Sequence, residues 1–186
     1  MAELIVTEFV SVDGVMEAPG GEPGYAHTGW VMKRLSDDWQ QYKLEEIREA
    51  GSHLLGRVTY ESFAGAWPAR EGEFADKVNA MPKYVASTTL RDPGWNNAHV
   101  LRDDVPAAVA ELKRTEAAPI LVAGSQTLVQ TLARHDLVDE YRLMVFPVVL
   151  GSGRRLFADL PDKQPLDLAD LRRFDNGVAL MTYRRP

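Results

Sequence analysis

Short apolar segments that each end in a small or polar pair recur along this chain, and this recurrence constrains the fold more than any other feature. Helical patterns separate most of the segments, and strands that alternate with helices predict an α/β fold with a mostly parallel sheet flanked by helices. Ligands bind such sheets outside the carboxyl ends of the strands. We therefore expect the terminal pairs to form a binding site along one edge of the sheet. The pairs are Asp13-Gly14, Gly56-Arg57, Ser87-Thr88, Gly124-Ser125 and Leu150-Gly151.

Gly, Pro and capping residues mark the limits of the other elements. The stretch at 13–29 is rich in Gly and Pro and long enough to be a functional loop over a site. Ser36 can cap a helix that Gly51 can stop. At the end of the chain, residues 167–183 predict an antiparallel hairpin across Asn176-Gly177, which makes the sheet mixed.

Length, charge and cysteine usage exclude several classes of protein. The chain has 186 residues, which predicts one domain over 1–186. A net charge of −6 argues against binding to nucleic acid or to anionic membrane surfaces. No apolar run approaches the ~20 residues that span a bilayer, and Glu3 stands where a secretion signal is basic. Cysteine is absent and the histidines are scattered, so we expect a cytoplasmic protein without a metal site.

The pairs at Gly56 and Gly124 each join a predicted strand to a predicted helix. The free N–H groups at the start of a helix attract anions, and Arg57 and Thr59 add a planar cation and a hydroxyl. Two such N-termini at one edge could hold the two phosphates of a dinucleotide. Taken singly, the first pair could equally be an ordinary strand–helix turn, and Ser125 could serve only as a helix cap.

The pair Ser87-Thr88 could bind a third phosphate, the group that distinguishes NADPH from NADH, or it could be simple turn chemistry. Rival nucleotide and hydrolase motifs are absent: the chain contains no G-x-G-x-x-G after the first strand, no P-loop and no G-x-S-x-G. His53 lies on a predicted buried strand and is expected to be a satisfied core residue.

Five motifs in order make the chain resemble a known superfamily. Residues 54–61, LLGRVTYE, resemble the G-R-x-T-[WY]-E signature of the dihydrofolate reductase superfamily, and 120–125, ILVAGS, resemble its second nucleotide motif. Residues 11–14, SVDG, look like the start of the active-site loop in one branch. Two further motifs within 137–157 are similar to the riboflavin-biosynthesis reductase domain, the C-terminal domain of bifunctional deaminase-reductases. Since no zinc signature of a deaminase is present, we expect a stand-alone reductase-like protein.

This resemblance implies a dihydrofolate-reductase-like fold, NADPH as the cofactor and a possible homodimer, for which the apolar region 141–150 could serve as interface. Family members often have Gly-Gly where this chain has Gly124-Ser125, and the serine can still offer its N–H if its backbone angles are helical. Carried over by motif, the cofactor-binding residues are Gly56, Arg57 and Thr59 at the first junction, Ser87 and Thr88 near the 2′-phosphate, Gly124, Ser125, Thr127 and Leu128 at the pyrophosphate, and Val12 and Gly151.

The substrate is less constrained than the cofactor. A pterin reductase needs a buried carboxylate on the helix after the loop, and Asp38 or Asp37, following Trp30, could contact the substrate or could simply favour the helix dipole. Asp13 could orient substrate or relay a proton as the catalytic residue, or could be a turn residue. The resemblance implies reduction of a pyrimidine or pteridine-like heterocycle, such as the ribosylamino-pyrimidine of riboflavin biosynthesis. The alternatives are dihydrofolate reductase proper and a non-catalytic nucleotide- or drug-binding module on the same fold.

Overall fold

The computed structural model describes residues 1–157 and 162–186. Within them the chain forms eight strands and five α-helices, with a single 3₁₀ turn at Met32–Arg34. The strands are β1 Leu4–Ser11, β2 Ser52–Gly56, β3 Lys83–Ala86, β4 Ala98–Leu101, β5 Ile120–Ala123, β6 Glu140–Phe146, β7 Asp167–Arg173 and β8 Ala179–Arg184. The helices are α1 Asp37–Glu49, α2 Arg57–Ala66, α3 Glu73–Ala80, α4 Val105–Thr115 and α5 Gln126–Arg134.

All eight strands belong to one sheet in the order β4-β3-β2-β5-β1-β6-β8-β7. Each neighbouring pair from β4 to β6 is parallel, whereas β8 is antiparallel to both β6 and β7. The predicted mixed α/β sheet with a C-terminal antiparallel hairpin is therefore confirmed. Because the six parallel strands point the same way, their carboxyl ends meet at one edge of the molecule.

The two faces of the sheet bury separate apolar cores. Successive side chains of a strand point to opposite faces, so Leu4 and Val6 join one core and Ile5 joins the other. Helices α4 and α5 cover the first face, to which they contribute Val109 and Leu132. The central strands are apolar on both sides because helices cover both of their faces.

A third, aromatic cluster fills the space between α1 and the antiparallel end of the sheet. Trp30 from the long loop and Trp39 from α1 both pack against Phe146 of β6, with ring centroids 5.3 Å and 6.4 Å away. Phe9 of β1 meets the same ring edge-on at 5.5 Å. Edge-to-face contacts of this kind add stabilisation beyond the area that they bury. This cluster anchors the end of the 13–29 loop to the sheet.

Local expectations differ from the structure at two elements. Helix α3, which follows Gly72 at a φ of 103°, has no counterpart among the predicted elements. In the hairpin the Gly177 N–H donates to the Phe174 carbonyl over 3.0 Å, and Gly177 alone within the turn takes a positive φ, of 85°. The connection is thus a three-residue loop with a glycine bulge rather than a two-residue Asn-Gly turn. Asn176 instead makes a tertiary contact, in which its side-chain amide donates to the Arg34 carbonyl.

Strand β6 lies between β1 and β8, and all of its apolar side chains except the half-buried Val145 are buried there. The proposed use of residues 141–150 as an interface is therefore wrong for the strand itself. The exposed edge is β7, along which every residue is exposed, including Leu168 and Leu171. Among the described residues, no helix is long and apolar enough to cross a membrane.

Candidate functional site

Two glycine-bearing corners lie side by side at the carboxyl edge, because β2 and β5 are neighbours in the sheet. We call the turn at Gly56 and the first turn of α2 the first corner, and Gly124-Ser125 with the first turn of α5 the second corner. The corners touch directly. The Ser125 hydroxyl accepts the Gly56 N–H over 2.6 Å and donates to Thr59 Oγ1 over 2.8 Å.

Both glycines are required by this close approach. A Cβ on Gly56 would lie 2.9 Å from Ser125 Oγ, and a Cβ on Gly124 would lie 2.9 Å from Thr59 Oγ1. Gly124 also has a φ of 65°, in the left-handed region. The corners therefore interlock, and a Cβ at either glycine would displace the side chain of Ser125 or of Thr59.

The expectation that Ser125 can still offer its N–H depends on right-handed helical backbone angles, and its angles in the structure are different. Its φ of 70° and ψ of 58° are left-handed, because the chain turns from β5 into α5 within two residues. Its hydroxyl does not cap α5 either, although Ser125 occupies the cap position of that helix. The side chain crosses to the first corner instead, so Ser125 is not simply a helix cap, and binding of a phosphate by its N–H stays a prediction.

The remaining donors of the corners suit phosphate groups. N–H groups in the first turn of a helix have no carbonyl of a preceding turn to bind, so the starts of α2 and α5 present an electropositive edge. Val58 and Thr127 are exposed there, whereas the Leu128 side chain is buried in the core and can contribute only its backbone. The Arg57 guanidinium bonds Glu61 over 2.8 Å and 3.0 Å on its own helix. The donor set fits the two phosphates of a dinucleotide.

The third corner, Ser87-Thr88, follows β3 on the same edge. The Ser87 hydroxyl accepts the N–H groups of Thr89 and Leu90 over 3.2 Å and 2.9 Å, which is turn chemistry. Thr88 is exposed. Binding of a 2′-phosphate by this pair remains a prediction, and Thr88 is the member whose side chain is accessible.

Asp13 ties the end of β1 to the segment that follows β6. Its carboxylate accepts the Ser11 hydroxyl over 2.7 Å, the Leu150 N–H over 3.0 Å and the Gly151 N–H over 2.8 Å. These hydrogen bonds, led by that from Ser11, lower the pKa of Asp13 to about 2. The group is therefore ionised at neutral pH, which suits a positioning role and not donation of a proton.

An apolar surface adjoins Asp13. Val12 and Val149 remain 61% and 69% exposed, and the Val12 N–H donates to the Val148 carbonyl over 2.9 Å. Two exposed valines at the ends of adjacent strands can border a flat ring. Sequence reasoning did not single out Val149 as a site residue. The signal that could have found it is its position: it is an apolar residue that follows Pro147-Val148 near the end of β6.

The loop at 13–29 docks on the segment at 150–156, and that segment contacts the second corner. The Met16 N–H donates to the Arg154 carbonyl over 2.9 Å, and Gln126 Nε2 at the start of α5 donates to the Arg155 carbonyl over 2.6 Å. Gly153 allows this contact, since a Cβ there would lie 2.8 Å from a Val15 methyl. Sequence reasoning missed Gln126 and Arg155, because their proximity depends on how the loop folds.

Asp38 and Trp30, the expected substrate contacts, both take part in internal packing. One oxygen of Asp38 accepts the Ser36 hydroxyl and the other accepts the Asp175 N–H over 2.8 Å, and these bonds lower the pKa of the carboxyl. Trp30 is buried, and its Nε1–H donates to the Glu17 carbonyl over 2.9 Å. A contact of either side chain with substrate remains a prediction.

A buried charged network lies on the α1 face of the sheet and has no counterpart in the sequence analysis. Glu46 is buried, and it binds Lys43 directly, the Thr7 hydroxyl over 3.0 Å and Arg142 over 3.4 Å. Desolvation opposes ionisation of Glu46, but Lys43 and the other donors outweigh it and hold its pKa below the usual range. Arg142 in turn binds Glu140 over 2.6 Å, so each charge is paired.

Glu8 is a buried carboxyl beside the second corner. It is only 6% exposed, its Oε1 has no hydrogen-bond partner within the described residues, and the Gly124 N–H faces it. Burial raises the pKa of Glu8 to about 8, against the opposing effect of Lys43. The sequence signal is a single acid within an apolar strand.

His53 is buried on β2 as expected. The expectation of a satisfied side chain is wrong, because its Nδ1 has no partner among the residues that the structure describes. Burial, with Lys43 and Lys83 nearby, lowers the pKa of His53 to about 3, so the ring is neutral.

An open cleft of about 960 Å³ lies between α2, α3 and the segment at 90–96. Its lining includes the acids Glu61, Asp76 and Asp92, which would repel a phosphate. We therefore place the candidate site at the glycine corners, where the helix N-termini favour anions.

Comparisons with known proteins identify the family and agree with the fold. The family model described as the RibD C-terminal domain matches residues 2–180. The uncharacterized protein YyaP of Bacillus subtilis (strain 168) is 28% identical over 185 residues, covering 97% of this chain and 93% of that protein. A putative riboflavin biosynthesis protein from Shewanella sp. PV-4 superposes with a TM-score of 0.77 at 22% identity, covering 100% of this chain and 99% of that one. A pyrimidine reductase-like protein from Corynebacterium diphtheriae gives 0.71 at 12%, covering 100% of this chain and 92% of that one.

Proposed function

The chain belongs to the RibD C-terminal domain family, and from this premise we propose that it is an NADPH-dependent reductase of a pyrimidine or pteridine-like heterocycle. The observation that carries the proposal is the contact between the two corners, which brings two helix N-termini to one point at the carboxyl edge. A dinucleotide with two linked phosphates fits such a pair of N-termini better than a ligand with one anionic group.

Each part of the site has a distinct task in this reaction. When bound, the nicotinamide supplies the hydride, and the protein supplies binding and orientation. The first turns of α2 and α5 would hold the phosphates, with Arg57 released from Glu61 or shared with it. Val12 and Val149 would border the nicotinamide or the heterocycle and keep water away from that face.

Asp13 acts through the segment that it holds. Its ionised carboxylate fixes the Leu150 and Gly151 N–H groups, and the segment carries the 13–29 loop towards the second corner. A carboxylate with a pKa of about 2 has no proton to give at neutral pH. We assign proton delivery to water and a positioning role to Asp13.

Preference for NADPH over NADH would come from the third corner. Thr88 is exposed there, and Arg102, just after the neighbouring strand β4, donates to the Arg91 carbonyl over 3.1 Å. Guanidinium groups bind phosphate oxygens well. The exposed Thr88 hydroxyl after β3 and the Arg102 guanidinium after β4 support a 2′-phosphate site.

A thermal shift with NADPH and with NADH tests this proposal. A ligand at 100 times its dissociation constant stabilises a protein by about 2.7 kcal/mol, which is a shift of roughly 5–10 °C for a domain of this size. We expect NADPH to raise the midpoint and NADH to raise it much less, with the difference lost in Thr88→Ala combined with Arg102→Gln. The exposed Arg70→Gln is the matched control. If neither nucleotide shifts the midpoint, the cofactor assignment is wrong.

Oxidation of NADPH over a panel of pyrimidines and pteridines then separates an enzyme from a binding module. Consumption with one substrate class supports the reductase. Binding of NADPH without consumption over the whole panel would favour the non-catalytic module, and consumption with dihydrofolate alone would favour dihydrofolate reductase.

We also propose that a second copy of the chain pairs with β7, the exposed edge strand. An antiparallel pairing of two β7 strands centred on Leu171 would place Asp170 of each copy opposite Arg172 of the other, so the charges are self-complementary. We expect light scattering to detect a dimer, Asp170→Arg to dissociate it, and the double variant with Arg172→Asp to restore it. A monomeric wild type, or a double variant that stays dissociated, would contradict this pairing.

A further inference from the structure

A second cavity, of about 370 Å³, lies at the edge of the sheet opposite the glycine corners. It is bounded by the end of α5, the start of β6, the segment before β7 and the residues after β8. Tyr141 is the second residue of β6, which runs parallel to β1, so the cavity lies near the amino ends of these strands. We call it the amino-edge cavity, and its lining includes Val138, Tyr141, Lys163, Leu166 and Arg185.

Hydrogen bonds within the protein fix two walls of this cavity. Asp136 turns the chain after α5 with a φ of 53°, and its N–H donates to the Ala133 carbonyl over 3.1 Å. Gln164 Nε2 donates to the same carbonyl over 2.6 Å, which ties the segment at 162–166 to the end of α5. The cavity is therefore preformed, as most small-molecule sites are.

The Tyr141 hydroxyl is a polar group inside the cavity. Tyr141 is only 3% exposed, and its hydroxyl has no hydrogen-bond partner within the described residues. Burial raises the pKa of Tyr141 to about 12, so the hydroxyl keeps its proton at neutral pH. The charged groups that act on it, Arg185 and Asp136, also line the cavity. Since a buried donor without an acceptor is unfavourable, this hydroxyl favours a ligand that brings an acceptor.

Basic side chains outnumber acidic ones in the lining, where Lys163 and Arg185 are accompanied by Asp136. Arg185 also contacts Asp139, but only over 3.4 Å, and Asp139 has a shorter ion pair with Lys113, at 2.6 Å. The Arg185 guanidinium can therefore turn towards an anion without leaving Asp139 unpaired. A guanidinium matches the geometry of a carboxylate, to which it can donate two parallel hydrogen bonds.

The rest of the wall is apolar and sets the size of the ligand. It is formed by Ala133, Val138, Pro165 and Leu166. A closed apolar cavity of about 150 Å³ holds benzene. The amino-edge cavity therefore accommodates a fused pair of rings, or one ring with a short chain.

We propose that the amino-edge cavity binds a small aromatic carboxylate, with its rings against Val138 and Leu166 and its carboxylate between Tyr141, Lys163 and Arg185. The tyrosine hydroxyl donates a hydrogen bond to the carboxylate, and the two cations balance its charge. This site is independent of the proposed reductase function, because it lies at the opposite edge of the sheet from the glycine corners. A ligand there does not compete with a nucleotide.

NMR titration of the isotope-labelled protein tests the proposal with three probes of similar shape: naphthoate, the uncharged naphthamide and the cationic naphthylmethylammonium. We expect naphthoate to bind with a dissociation constant between about 10 μM and 1 mM, as suits a ligand of this size. The amide should bind at least about tenfold more weakly, and the cation more weakly still. The backbone amides of Val138 and Leu166 should shift, whereas those of Gly56 and Gly124 should not.

Two variants test the polar contacts. Arg185→Gln should weaken naphthoate binding about tenfold and Tyr141→Phe about fivefold, because each removes a hydrogen bond to a charged group. Tyr141→Phe keeps the ring and loses no hydrogen bond to the described residues, so we expect its thermal midpoint to be no lower than that of the wild type. The exposed Arg70→Gln is the matched control and should leave the affinity unchanged.

Three results would overturn the proposal: no binding of naphthoate at 10 times the upper limit of this range, equal binding of naphthoate and naphthamide, or amide shifts that lie at the glycine corners. Wild-type affinity in both Arg185→Gln and Tyr141→Phe would overturn it as well. None of these measurements uses NADPH, so failure of the cofactor assignment and failure of this site are distinguishable.

Discussion

Replacement of Glu8 with Gln tests whether the carboxyl beside the second corner is neutral in the folded protein. The pKa of Glu8 is raised from 4.5 to about 8 by burial. Folding therefore holds a proton that the unfolded chain releases between these two pH values, and stability falls as pH rises through this window. The loss of folding stability that the buried Glu8 causes is absent well below pH 4.5 and complete above about pH 8.

The magnitude follows from the same two values. Since one pKa unit is worth 1.36 kcal/mol, displacement from 4.5 to about 8 costs roughly 5 kcal/mol when ionisation is complete. At pH 7 the cost is about 3 kcal/mol and at pH 5 about 1 kcal/mol. The amide of the substituted side chain is neutral at every pH and can still accept the Gly124 N–H. We expect Glu8→Gln to be more stable than the wild type by about these amounts, and the gain to grow with pH.

Urea unfolding at pH 5, 7 and 9 measures this dependence, with the exposed Glu49→Gln as the control. At pH 7 the gain corresponds to an increase of about 6–12 °C in the thermal midpoint. The charged groups that act on Glu8 are Lys43 and Glu46, with opposite sign. A stability difference that does not change with pH, or a wild type that is the more stable protein at pH 9, would refute the reasoning.

Three further predictions concern residues with defined partners. Replacement of Asp13 with Asn should free the segment after β6, because the carboxylate accepts the Leu150 and Gly151 N–H groups, and hydrogen exchange should show both amides exchanging about tenfold faster. Lys83→Met should lower the free energy of unfolding by about 3 kcal/mol in urea titration, because the buried ammonium donates to three backbone carbonyls; a loss below about 1 kcal/mol would contradict this. Gly177→Ala should destabilise the protein by about 1–2 kcal/mol in calorimetry, because Gly177 has a φ of 85°, and an unchanged midpoint would show that the turn can rearrange.

Local sequence signals were sufficient for the architecture and for the placement of the strand-ending pairs along one edge of the sheet. Apolar segments with small or polar ends identify parallel strands, and glycine at a strand end identifies a sharp entry into a helix. These properties depend on residues that are close in the chain, so a pattern can report them. Local signals did not predict helix α3, because it has only eight residues and begins after a glycine with no side-chain cap.

The fine structure of the site was decided by contacts between distant residues. Asp38 is bound to Asp175, and Asp13 is bound to Leu150, so their carboxylates have partners that no local pattern contains. The environment of Glu8 likewise depends on the second corner, whose Gly124 N–H faces it.

Ser125 shows the division most clearly. The sequence by itself determined that a turn would stand between β5 and α5 and that a small residue would occupy it. Only the tertiary structure decided that the backbone there is left-handed and that the hydroxyl crosses to Gly56 and Thr59. The physical reason is that a side chain's conformation depends on the neighbours that packing brings to it, and those neighbours lie 69 and 66 residues away along the chain.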